Sequence, residues 1–182
     1  MKKMFFTILG VLIAAIGILV IAIATRPTDF TLRRSATMAA RPATVFAQVN
    51  DFHRWTAWSP WEKLDPGLKR EYSGPDSGVG AHYHWVGNPK VGEGKMTITE
   101  SKPGELVRIK LEFIKPFSAT NETTLTFKLD GNGTQVDWTM TGKNGFMSKA
   151  FDLFMNMDKT VGKDFEKGLA DMKTVSEAAA KT

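Results

Sequence analysis

Cysteine is absent from all 182 residues. That excludes a disulfide framework, a thiolate metal site and a cysteine nucleophile. It leaves the compartment open, because an oxidising compartment permits disulfides without requiring them. Histidine is scarce, with three in the chain, and only His82 and His84 lie close together. Strand alternation puts both imidazoles on one face, a spacing at which two His can ligate zinc, with His53 as the one further ring. No Cys or close carboxylate completes a set, and Tyr83 and Trp85 are the better residues for an apolar face, which turns the pair toward solvent. No metal ion and no cofactor are expected. Basic runs are missing as well: with Lys2 and Lys3 set aside, 22 basic residues stand against 19 acidic ones. Given that near balance, and without the aromatic-basic motif of an RNA-binding sheet, no nucleic-acid partner is expected. Paired carboxylates are equally wanting. Asp51, Glu62, Glu93, Glu100, Glu122 and Asp137 are scattered, and no two share a spacing that would hold them as a catalytic pair. Ser59 lacks a nucleophile-elbow context, and Gly92-Glu93-Gly94 is not a phosphate loop. No catalytic residue is assigned.

Charge is missing altogether from Met4 to Thr25. Such a run spans roughly 33 Å as a helix, about the thickness of a bilayer's hydrocarbon core. The competing reading is a cleaved signal peptide, with Lys2 and Lys3 as its basic region and Ala22-Ile23-Ala24 as its cleavage motif. Signal peptides have apolar regions of about 7 to 15 residues, so the length favours a retained anchor. The chain therefore divides into a transmembrane helix over 4–25 and a soluble domain over 26–182, long enough for one sizeable core and too short for two. Lys2 and Lys3 precede the span while Arg26, Arg33 and Arg34 follow it, so flanking charge does not decide orientation. The very short leading tail favours the amino terminus inside and the domain outside, which is periplasmic in a Gram-negative bacterium.

Along the soluble part the spacing predicts a strand over Phe30–Met38, a helix opened by Pro42 and running through Val49, and a second short helix around Phe52–Trp58. From Lys69 onward, Gly-rich turns separate strands whose alternate residues are apolar: Met96 and Ile98, then Val107 to Phe113, then Leu125 to Leu129, then Val136 to Met140. This is the pattern of an antiparallel sheet with one wet face. The chain closes with Met147, Phe151, Phe154, Asp158, Val161, Phe165, Leu169 and Met172 at helical spacing. One long helix lying across the sheet's apolar face satisfies both elements. The fold class expected is α+β.

Particular residues carry a resemblance. They are Pro42 with Val45-Phe46, Asn50-Asp51-Phe52, Trp55, Trp58-Ser59-Pro60-Trp61, Gly78-Val79-Gly80, Trp85 with Gly87-Asn88, Gly92-Glu93-Gly94, Pro116-Phe117, Thr134 to Trp138 and Gly162 to Leu169. In this order they resemble the START-like helix-grip superfamily (SRPBCC), in its polyketide cyclase/dehydrase branch, over roughly Asp29 to Glu177. The resemblance implies a curved antiparallel sheet wrapped around the C-terminal helix, with a cavity between them for hydrophobic ligands. Members of the branch often carry an amino-terminal membrane helix. The superfamily includes lipid carriers, hormone binders, ring cyclases and chaperone activators, so the fold alone does not settle function.

The candidate ligand-binding residues follow. Trp55 and Trp58, with Trp61, either line the mouth of the cavity or fix the turn and seal one end of the core. The inward lining is Tyr83, Trp85, Met96, Ile98, Ile109, Leu111, Phe113, Phe117, Trp138 and Met140, facing Phe151, Phe154, Met155, Val161 and Phe165 from the helix. Asp158 interrupts the helix's apolar face; it either meets a ligand's polar end or marks the edge of the stripe. The expected function is membrane-anchored binding of a hydrophobic small molecule or lipid, with the membrane as the other partner and no protein partner identified. One alternative is a cyclase or dehydratase using Asp158 or Tyr83. The other is a chaperone-activator-like partner-binding module with an exposed apolar patch and a filled interior.

Overall fold

A computed structural model describes the backbone of residues 2–154 and 157–181. Helix α1 runs over Lys2–Ala24, and from Lys3 onward its side chains are exposed except Ile23 at the domain end. Strand β1 (Asp29–Met38) follows the Arg26-Pro27 break, and Pro42 opens α2 (Pro42–Val49), whose Val45, Phe46 and Val49 turn inward. Asp51 then accepts a 2.9 Å hydrogen bond from the His53 backbone N–H, which starts a 3-10 turn over Phe52–Arg54. One-turn helix α3 (Trp55–Trp58) and a second 3-10 turn over Pro60–Lys63 complete the crossover. Strands β2 (Lys69–Ser73), β3 (His82–Val86), β4 (Glu93–Lys102), β5 (Leu106–Lys115), β6 (Ala119–Asp130) and β7 (Gly133–Lys143) come next, and then α4 (Phe146–Phe154) and α5 (Met157–Ala179).

The seven strands form one antiparallel sheet in the order β1-β7-β6-β5-β4-β3-β2. Because β1 pairs with β7, the long crossover through α2 and α3 lies on the same side as α5. The helices and the inner sheet face enclose a single apolar cluster running from Leu32 and Met38 through Trp138 to Phe165, Leu169 and Met172. The architecture is α+β, with the sheet wrapped around a long C-terminal helix. Two glycines set close approaches that side chains would forbid. Gly94 leaves the space on β4 that the Trp85 ring occupies, and Gly168 lets α5 press on Trp138, whose ring lies 2.9 Å from where a Cβ would stand.

Three sequence expectations change. The C-terminal helical period is carried by two helices, and the first of them is turned away from the sheet. α4 packs beside α1, leaving Met147 and Phe151 about half exposed. Leu129, expected on the inner face, is exposed where β6 runs out into the Asp130–Gly133 turn. His84 is not without carboxylates: its Nδ1 lies 3.2 Å from Glu71 and its Nε2 3.6 Å from Glu93, both brought in from neighbouring strands. His82 Nδ1 meets the Thr97 hydroxyl at 2.9 Å. The pair sits on the outer sheet face, and no group of three or more metal-ligating side chains occurs among the described residues.

Candidate ligand cavity

The apolar cluster is not filled. Between the inner face of β3 to β7, the Ser59–Glu62 turn and the first turns of α5 lies a cavity of about 250 Å³. Trp138 and Phe165 form one wall, stacked with ring centroids 4.1 Å apart. Trp61 stands edge-on to both at 6.0 and 6.1 Å. Tyr83, Trp85 and Phe113 line the opposite end, with Trp85 edge-on to Phe113 at 6.2 Å. Such edge-to-face and offset pairs are the favoured aromatic geometries, so these walls are rigid as well as apolar. The Trp85 indole is pinned further by its Nε1, which donates to the Val91 carbonyl at 3.3 Å.

Polar groups enter at a few points. Tyr83 donates a 2.6 Å hydrogen bond from its hydroxyl to Glu62 Oε1, and Arg70 Nε donates to Glu62 Oε2 at 2.7 Å. Burial, and then the hydrogen bond to the Glu62 carboxylate, push Tyr83 far above the ordinary tyrosine range. Its proton is therefore held, and the residue is a fixed wall rather than a base. Asn121 and Thr123 are buried on the β6 side, and Asp164 looks in from α5, partly buried. Burial raises the Asp164 carboxyl above its usual range. The indole N–H of Trp138, buried in the wall, has no hydrogen-bond partner among the described residues.

Of the residues picked out by sequence, the structure brings Trp55, Tyr83, Trp85, Met96, Leu111, Phe113, Trp138, Met140, Val161 and Phe165 around this one space. Trp58, Ile98 and Ile109 are fully buried but pack the core instead of the cavity. Trp58 is tied down by its Nε1, which donates to the Gln48 carbonyl at 3.0 Å, so this residue fixes the crossover. Ile98 and Ile109 face each other across β4 and β5, near the part of the sheet that α2 covers. Phe117 is exposed in the turn between β5 and β6, and Phe151 is exposed on α4. Asp158 is outside the cavity and exposed, paired with Arg34 at 3.1 Å. The Phe154 side chain and Met155 lie outside the described residues.

Sequence reasoning missed Ser59, Glu62, Leu68, Val91, Asn121, Thr123 and Asp164 as cavity residues. Two signals were readable. Counting back by twos from Leu125 places Thr123 and Asn121 on the inner face, and Asp164 follows Val161 by three on the helix. Glu62, Leu68 and Val91 come from turns, where no periodicity announces direction.

The family model for polyketide cyclase/dehydrase and lipid transport matches residues 29–177. The chain belongs to that family. Its matched span covers every element from β1 into α5, so the cavity lies wholly within it. No curated protein matches the chain in sequence. Solved structures share the fold at low identity. Protein CV1439 of Chromobacterium violaceum is 17% identical, with a TM-score of 0.59 over 81% of this chain and 96% of its own. An uncharacterised protein from Rhizobium leguminosarum is 14% identical, with a TM-score of 0.60 over 82% and 95%. Protein SA2116 of Staphylococcus aureus, of unknown function, is 13% identical, with a TM-score of 0.62 over 85% and 97%. At these identities the neighbours establish the helix-grip fold of this polyketide cyclase/dehydrase-family chain and nothing finer.

Proposed function

We propose that this member of the polyketide cyclase/dehydrase and lipid transport family binds an apolar small molecule in the cavity between sheet and α5, while α1 holds it at a membrane. The observation that carries the reading is the unfilled space itself, about 250 Å³ walled by aromatic and Met side chains. An apolar cavity of about 150 Å³ holds a benzene ring, so this one suits on the order of ten non-hydrogen atoms, a two-ring system or short chain rather than a diacyl lipid. Burying about 200 Å² of such a ligand contributes roughly 5 kcal/mol before association costs, enough for capture without catalysis.

The alternatives have less support. A chaperone-activator-like module calls for a filled interior, and the interior is open. The two groups the cyclase or dehydratase reading would use, Tyr83 and Asp158, do not serve it: Tyr83 is locked to Glu62 and Asp158 is bound to Arg34 on the surface, which leaves Asp164 as the one cavity carboxyl such chemistry could call on. The membrane part of the reading is supported by α1, whose Lys3–Ala24 stretch is long and apolar enough to cross a bilayer. α4 is fastened beside it by Arg26–Asp152 at 3.3 Å and by Lys149 Nζ to the Thr28 hydroxyl at 3.0 Å, with Phe146, Met147 and Phe151 exposed. A second cleft of about 310 Å³ at Arg26 and Pro27 shares Met140 and Val161 with the main cavity, so the two spaces adjoin at the end of the domain that α1 enters. Titration of the full-length chain in lipid nanodiscs with naphthylethanol, read by tryptophan fluorescence, tests the binding. Saturable one-to-one quenching is expected; a linear response matching empty nanodiscs contradicts the proposal.

A further inference from the structure

The ionisable lining of the cavity has one sign. Glu62 and Asp164 face it, and no Lys, Arg or His does among the described residues, in a chain whose formal net charge is +5. Glu62 is already satisfied by Arg70 and Tyr83, at 2.7 and 2.6 Å. Asp164 is not: it makes no side-chain hydrogen bond or ion pair among the described residues, although it is partly buried and adjoins Phe165. A carboxylate held at an apolar wall without a partner is destabilising there, and an incoming cation relieves it. An incoming anion instead meets two carboxylates, and the Arg70 guanidinium beside Glu62 is already taken up by it. The walls favour the same sign. Phe165 is stacked on Trp138, with Trp61 edge-on to both, and aromatic faces attract ammonium groups within about 6 Å.

Resting on the cavity-binding reading above, we infer that the ligand is a small hydrophobic amine, its ammonium group paired with Asp164 and its apolar body held against Trp138 and Phe165. Acid-headed ligands such as fatty acids are then poor occupants.

Three probes of one shape separate the possibilities: naphthylethylamine, naphthylethanol and naphthylacetate, titrated into the full-length chain in nanodiscs. The wild type is expected to bind the amine on the order of tenfold more tightly than the alcohol, from a charge-assisted contact plus the aromatic wall, with the acid weakest. Asp164→Asn is expected to remove the amine's advantage while holding the alcohol's affinity within about twofold, which also reports that the variant is folded. Asp158→Asn, outside the cavity, keeps the preference. An alcohol that binds as tightly as the amine in the wild type overturns the inference alone, as does a preference that survives in Asp164→Asn. Failure of all three probes overturns the cavity-binding reading and this inference with it.

Discussion

The Tyr83 hydroxyl and the Glu62 carboxylate are joined by a 2.6 Å hydrogen bond across the crossover and the sheet. With Arg70 on the second oxygen at 2.7 Å, the pair ties the Pro60–Lys63 turn to β2 and β3 and closes one side of the cavity. Glu62→Ala leaves a buried hydroxyl without its acceptor and Arg70 without its counter-ion. A loss of about 1 to 3 kcal/mol in chemical unfolding is expected, with Glu62→Gln retaining part of it.

Tyrosine titration reads the same contact. The chain has two tyrosines, and burial raises both Tyr72 and Tyr83, with the Glu62 charge adding to each. A raised folded value means the neutral form is favoured by folding. That stability is fully present below the unfolded tyrosine value near 10 and is lost as pH rises above it. Tyr72 is therefore expected to ionise above the ordinary tyrosine range, and Tyr83 only together with alkaline unfolding, both read by tyrosinate absorbance. A normal tyrosine titration in the folded protein contradicts the assignment.

At the acid end the sign reverses. Burial would raise Asp137, but hydrogen bonds from Ser35 and Arg33 outweigh it and hold the carboxyl below its usual value. Such stability is present above the unfolded aspartate value near 3.9 and is lost as pH falls through the folded one. Asp137→Asn is expected to lower stability at neutral pH and to flatten its decline below about pH 4, measured by denaturant unfolding across pH.

Gly168 supports the stacked wall. A Cβ there comes within 2.9 Å of the Trp138 ring and 3.1 Å of Pro60, so α5 has to move away from the sheet. Gly168→Ala is expected to cost about 1 to 3 kcal/mol and to weaken the near-UV circular dichroism of the Trp138–Phe165 stack, despite alanine's better helix propensity.

Strand alternation made the inner face legible: Tyr83, Trp85, Met96, Leu111, Trp138 and Met140 all reach the cavity as the two-residue period requires. The helix face was legible only in part. One apolar period runs from Met147 to Met172, yet it is divided between α4 and α5, because an apolar stripe specifies burial without specifying the partner, and α1 supplies a second apolar surface. Asp158 and Asp164 show the same limit. Both lie near the stripe, and only packing sends the first to Arg34 and the second to the cavity. Whether space remains at the centre depends on how side-chain volumes add up in three dimensions, which spacing does not encode.

The anchor reading makes a separate prediction. If α1 is retained, the mature chain keeps the residues from Met1 to Thr25 and resists carbonate extraction from membranes. A mature chain beginning after Ala24 identifies a signal sequence instead.

The central claim is that the space beside Trp138 holds an apolar molecule. The most direct measurement compares wild type with Leu111→Trp, in which an indole grows into the cavity from its β5 wall, in calorimetric titrations of nanodisc-embedded full-length chain with naphthylethanol. The account predicts one-to-one binding in the wild type and at least about tenfold weaker binding in Leu111→Trp, with unfolding stability changed by no more than about 1 to 3 kcal/mol. Equal binding by both proteins, or none by the wild type, contradicts it.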